Sequence, residues 1–101
     1  MGYGIIWSEH SLIHLQEAIQ HIAEDNPLAA EKFGEKIIER VTVLRTFPRF
    51  GRVFGLLSRD DVRETPMPPY RIVYHVSDVS QTVTILAVWY GARQEPNISL
   101  P

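Results

Sequence analysis

Two apolar segments in the second half of the chain, Tyr70–Val76 and Thr82–Tyr90, limit what it can fold into more than any other feature. Both are dense in β-branched and aromatic residues, and Ser77-Asp78-Val79-Ser80-Gln81 between them has turn chemistry, so they read as a β-hairpin. The second segment, Thr-Val-Thr-Ile-Leu-Ala-Val-Trp-Tyr, carries no charge. A strand that is apolar on both faces belongs in the middle of a sheet, with cover on each side. The other bulk in the chain is its helical first half, which is therefore expected to pack on the hairpin.

In that half, Gly4-Ile5-Ile6-Trp7 ends at Ser8, a good helix N-cap, and predicts a strand feeding a helix over residues 9–24. Leu12, Leu15, Ile19 and Ile22, widened by Ala18 and Ala23, mark its expected core face. Asp25-Asn26-Pro27 ends this helix and starts the next, with Asn as cap and Pro preorganised for the first helical position. The second helix, over residues 27–47, turns Ala30, Phe33, Ile37, Val41 and Leu44 inward. So short a break makes an antiparallel helical hairpin. Pro48 ends the helix and Arg49-Phe50-Gly51-Arg52 forms a turn. Val53–Leu57 then predicts a strand and Val62–Thr65 another with one solvated face, while Pro66, Pro68 and Pro69 argue against a long interior strand there. The expected fold is a single α+β domain over residues 1–94, with 95–101 as a tail. It runs β-α-α-β-β-β(-β): a strand, an antiparallel helical hairpin, then a three- to four-stranded antiparallel sheet.

A chain of 101 residues can bury roughly two-thirds of its unfolded surface without staples. It has no cysteine, hence no thiolate metal site, which suits a reducing cytoplasm. Neither a signal peptide nor an apolar run of membrane-spanning length is read, so no membrane partner is expected. The net charge of −2 disfavours a protein that grips nucleic acid broadly through phosphates.

Arg71 and Arg93 flank the hairpin and are its first candidates for function. Strand alternation puts Arg71, Val73 and His75 on one face and Tyr70, Ile72 and Tyr74 on the other. Against a functional role stands a structural one, in which Arg71 pairs with a carboxylate such as Glu64 across the sheet and Tyr90 is a strand-end aromatic. His10, His14, Glu17 and His21 share a helix face, and His10/His14 have a spacing that can chelate zinc. That face lies opposite the apolar stripe, so it reads as solvated, and no metal centre or cofactor is expected. Arg49, Arg52, Arg59 and Arg63 offer a positive edge for an acidic segment or a phosphate, or a surface of locally paired charges, which is the reading preferred.

Several stretches resemble, in order and spacing, the RelE/ParE superfamily of bacterial toxins, the toxin halves of type II toxin–antitoxin modules. They are Trp7-Ser8 before the first helix, Asn26-Pro27 with Ala29-Ala30, Leu44 followed by Phe47-Pro48 and Gly51-Arg52, Tyr70-Arg71-Ile72-Val73-Tyr74, and Val88-Trp89-Tyr90-Gly91-Ala92-Arg93. The resemblance implies one of two activities: RelE-like members cut messenger RNA on the ribosome, whereas ParE-like members poison DNA gyrase by binding. Cleavage needs groups that move protons and cations that stabilise the phosphorane. Arg71 and Arg93 would be the cations, Tyr90 or His75 the proton carrier. Many relatives carry a histidine where this chain has Tyr90, and no lysine follows Lys36, so the basic strand cluster typical of ribosome-dependent cleavers is absent. The expectation is thus a ParE-like, growth-inhibiting cytoplasmic toxin, acting on DNA gyrase through Arg71, Arg93 and Tyr90 rather than as an enzyme. A cognate antitoxin would neutralise it, its flexible segment packing along the helical hairpin and the sheet edge. A ribosome-dependent mRNA endonuclease and a non-toxic interaction module with the same fold are the alternatives.

Overall fold

Strand β1 (Gly4–Trp7) hands the chain at Ser8 to helix α1 (Glu9–Asp25) in a computed structural model that describes residues 2–55, 57–91, 98 and 100. The Ser8 hydroxyl accepts the Ser11 N–H at 3.1 Å, and the buried Ser11 hydroxyl donates to the Ser8 carbonyl at 2.7 Å. One residue serves both helices at the next junction. The Asn26 N–H donates to the Ile22 carbonyl at 2.9 Å and closes α1, while its side chain accepts the Ala29 N–H at 3.1 Å and opens α2 (Pro27–Thr46). Asn caps well because its short side chain satisfies a helix donor that has no intrahelical partner.

Four strands follow: β2 (Arg52–Val53), β3 (Val62–Met67), β4 (Tyr70–Ser77) and β5 (Thr82–Tyr90). Among the described residues the sheet has the order β1-β5-β4-β3-β2. β1 lies parallel to β5 and the other pairs are antiparallel. The β4–β5 hairpin thus occupies the interior of the sheet, as its composition requires.

The helices cover one face of the sheet. Phe33, Ile37, Val41 and Leu44 of α2 form a continuous buried cluster with Ile72, Tyr74 and Val76 of β4 and Val83, Ile85 and Val88 of β5. The opposite face is closed differently from the expectation that the helices would cover the hairpin. Phe54, Val62, Val73, Leu86 and Ala87 form a second buried cluster, with Leu57 and Ile98 packed against it. This second core explains why β2 has two residues instead of the predicted strand over 53–57. The Phe54 N–H donates to the Val62 carbonyl at 2.8 Å, and the chain then turns, with the Ser58 N–H returning to the Phe54 carbonyl at 3.1 Å. The Phe54 ring can then plug the second face. β3 in turn runs through Pro66 to Met67, farther than the prolines suggested. Beyond the two residues that β2 pairs with, β3 is an edge strand, the position in which a missing N–H is tolerated.

A bulge re-aims β5. Val73 pairs with Ala87 but Tyr74 pairs with Ile85, which leaves Leu86 as an extra residue. Val83 and Ile85 face the helices before it and Val88 after it, while Leu86 and Ala87 both join the second cluster. β5 also outruns β1, which pairs with Thr82–Ile85 alone. α1 lies beside the remainder of that edge and is rotated relative to the stripe read from sequence. Ser11 and Ala18 are buried, whereas Leu12 is 50% exposed.

Candidate functional site

Glu64 on β3 and Arg71 on β4 are diagonal neighbours across the ladder, since Glu64 stands opposite Val73 and Arg71 opposite Pro66. Arg71 Nη1 lies 3.2 Å from Glu64 Oε1, with the two side chains 17% and 8% exposed. The ion pair anticipated from the sequence is therefore present. Arg52 Nη2 approaches the same carboxylate oxygen at 3.6 Å. From α2, Arg40 Nη1 donates to the Pro66 carbonyl at 2.9 Å and to the Thr65 hydroxyl. The Arg40 guanidinium lies 5.3 Å from the centre of the Phe50 ring and that of Arg71 5.9 Å from Phe54. Arg40, Arg52, Arg71, Phe50 and Glu64 line a hollow of about 510 Å³ at the β3 edge, in which three guanidiniums accompany one carboxylate. An excess of fixed positive charge suits an anionic group.

The other proposed site residues do not join this hollow. His75 shares the Arg71 face but its Nε2 is 3.0 Å from Asp61 Oδ2. The Asp61 carboxyl is held below its ordinary range, first by the hydrogen bond from Arg59, with His75 contributing less. Tyr90 is on the opposite, helical face of the sheet. Its ring packs edge-on against Tyr70 at 5.4 Å and lies 6.4 Å from His21. Arg71 and Tyr90 are thus separated by the sheet, and the set that the cleavage chemistry would require is not gathered at one point among the described residues. Arg93, the fourth member, lies outside the described residues.

Tyr90 instead borders a cleft of about 460 Å³ that it shares with Tyr70, Trp89, His14, Glu17 and His21. The solvated face expected for these residues holds for His10, Glu17 and His21, which are exposed, and fails at His14. His14 is half-buried, stacks edge-on against Trp89 at 5.3 Å and accepts the Val88 N–H at Nδ1, 3.4 Å away. The cause is the short β1, which leaves the end of β5 to be covered by α1. Among the described residues no group of three or more His, Cys, Asp or Glu side chains is arranged to hold a metal ion.

Arg49, Arg59 and Arg63 are paired locally, as read from the sequence. Arg49 spans Asp78 through two bonds of 3.1 Å and reaches Asp60 at 3.1 Å, while Arg63 also holds Asp60 and Arg59 holds Asp61 at 2.6 Å. The Tyr3 hydroxyl donates to Asp78 at 2.8 Å. Hydrogen bonds from Arg49 push the carboxyls of Asp60 and Asp78 below their usual range, and the bond to Asp78 raises the Tyr3 hydroxyl. Arg40 has no marker in the sequence that sets it apart from the other charges of α2, and the exposure of Phe33, Phe50, Phe54 and Trp89 is decided by the fold. Of these, Phe33 and Phe54 are buried and Phe50 is 55% exposed, while Trp89 is half-buried.

The family model described as the ParE toxin of the type II toxin–antitoxin system parDE matches residues 5–95. No curated protein matches the chain in sequence. Among solved structures, a chain of the chromosomal ParDE toxin–antitoxin system from P. aeruginosa is similar with a TM-score of 0.70 at 19% identity, covering 87% of this chain and 95% of that one. The RelBE2 toxin–antitoxin complex of Mycobacterium tuberculosis contains a chain similar at a TM-score of 0.62 and 19% identity, over 89% of this chain and 99% of that one. The isolated RelE toxin of E. coli gives 0.60 at 21% identity, over 92% and 88%. At these identities the structural likeness is one of fold.

Proposed function

The chain belongs to the ParE toxin family of type II toxin–antitoxin systems, and on that premise we propose that it inhibits DNA gyrase by binding and is neutralised by a cognate antitoxin. The observation that carries the binding mode is the dispersal of the candidate catalytic groups. Arg71 is engaged by Glu64, His75 by Asp61, and Tyr90 stands on the other face against Tyr70. RNA cleavage needs a proton carrier and a phosphate clamp within hydrogen-bond reach of one phosphodiester, and these positions do not supply that pairing. The net charge of −2 also favours a protein target over a nucleic-acid one. Gyrase itself comes from the family, and a target there places the toxin in the cytoplasm.

One observation favours a second reading, a ribosome-dependent mRNA endonuclease: the hollow formed by Arg40, Arg52 and Arg71 is able to receive a phosphate. The readings separate with the purified protein. Gyrase-catalysed supercoiling should fall on its addition while message in a translating extract stays intact. Cut message with unimpaired supercoiling overturns the proposal. If induced expression leaves growth untouched, the chain is a non-toxic interaction module instead.

A further inference from the structure

We propose that the end of α2 and the turn after it form a docking surface for an acidic segment of a partner protein with apolar side chains interspersed. From Arg40 to Arg52 the chain carries four arginines and no Asp or Glu, within a protein of net charge −2. What becomes of those charges decides what the surface can bind. Arg49 is neutralised by Asp60 and Asp78. Arg45 donates to the Tyr3 carbonyl at 3.3 Å, and Arg40 to Pro66 and Thr65, so neither spends its charge on a carboxylate among the described residues. Arg52 is 79% exposed, and the Glu64 carboxylate it approaches is shared with Arg71. A positive surplus therefore remains at Arg40, Arg45 and Arg52.

The same stretch presents apolar surface. Phe47 is 62% and Phe50 55% exposed. Phe50 stands as a ridge between the hollow at Arg40 and Arg52 and a second one, of about 490 Å³, floored by Tyr3, Phe47 and Pro48. A segment alternating carboxylates with Phe or Leu would meet both properties, its acids on Arg40 and Arg52 and its apolar side chains in the hollows on either side of Phe50. Charge complementarity selects such a partner. A polyphosphate chain suits the surface less well, because the Glu64 carboxylate lines the first hollow and the two exposed rings gain most from apolar cover. The surface is the one the neutralising partner proposed above would use, and its biological occupant rests on that reading.

The full-length protein, labelled with ¹⁵N, is titrated with a short synthetic peptide alternating Asp/Glu with Phe/Leu, with its Asn/Gln counterpart, and with a single-stranded oligonucleotide. The acidic peptide should shift amides within 40–53, and Phe50→Ser and Arg52→Glu should each weaken it about tenfold. Leu28→Ser, at a residue 59% exposed elsewhere on α2, should leave it unchanged. Thermal melts check each variant's fold, and Arg52→Glu decides alone if Phe50→Ser fails to fold. Equal response to the Asn/Gln peptide, shifts centred elsewhere, or tighter binding of the oligonucleotide to these amides overturns the assignment. The two claims can fail apart. If a co-expressed antitoxin relieves growth arrest with an affinity that Arg52→Glu does not alter, the surface is wrong and neutralisation stands. If no partner relieves arrest while the acidic peptide still binds at 40–53, the surface stands and neutralisation fails.

Discussion

Changing Arg71 to Met would remove the guanidinium that compensates Glu64 while keeping an apolar stem beside Phe54. The Glu64 side chain is 8% exposed, so its charge would stay largely out of water. Breaking one side of a buried pair costs about 3–5 kcal/mol. Arg52 remains within 3.6 Å but is 79% exposed, so it screens the stranded carboxylate only in part and lowers the expected loss to about 2–3 kcal/mol. Glu64→Gln combined with Arg71→Met removes both charges, and the loss should shrink to about 1 kcal/mol or less. With Glu64→Gln alone costing about 0.5 kcal/mol, the cycle gives a coupling of about 2 kcal/mol between the two positions. Urea unfolding followed by circular dichroism measures it, with an unchanged slope expected if the folded state is intact. In a domain of this size the Arg71→Met loss corresponds to a Tm lowered by roughly 8–20 °C. A variant within about 0.5 kcal/mol of wild type would refute the reasoning, because Arg71 would then be dispensable to the fold and its charge available to a substrate.

Gly51→Ala should cost about 2–4 kcal/mol in the same assay, from overpacking and a displaced hydrogen bond. A Cβ there meets the Glu64 carbonyl and stands 2.8 Å from the Tyr74 hydroxyl, which accepts the Gly51 N–H. A near-neutral outcome would mean that the turn relaxes away from β3. Acid should weaken the fold progressively. Asp60, Asp61 and Asp78 have carboxyls lowered by arginine partners, so their contribution is complete above the unfolded value of about 3.9 and disappears as pH falls through the lower folded values. Added salt should flatten that slope, and a salt-independent acid transition would contradict the assignment. At the alkaline end burial raises the Tyr74 hydroxyl. Its share is present below the unfolded value of about 10 and is lost as pH rises through the folded one, a loss that Tyr74→Phe should remove.

Capping residues and uncharged strands made most of the architecture legible. Ser8 and Asn26 stand where the helices start, and the ends of β5 fall where its apolar run begins and stops. Alternation along β4 held as well, and with it the pairing of Arg71 with Glu64. Features set by long-range packing were not legible. The bulge at Leu86 changes which residues of β5 face the helices, and nothing in a run of nine uncharged residues marks where it falls. α1 is rotated because it covers a sheet edge that β1 is too short to pair, which brings His14 inward and leaves Leu12 half exposed. Phe54, which read as part of a strand, leaves the ladder to close the second face. Arg71, His75 and Tyr90 are all ordinary positions on the strand pair, and only the strand faces and their partners show that they serve different neighbourhoods.

A toxin that acts by occupying its target, rather than by turning over a substrate, inhibits stoichiometrically. Supercoiling is measured at a fixed gyrase concentration while the purified protein is titrated. Inhibition should saturate as the protein approaches molar parity with gyrase and then stay constant with time. Loss of intact message in a translating extract at far less than one molecule per ribosome, growing with time while supercoiling continues, would contradict action by occupancy.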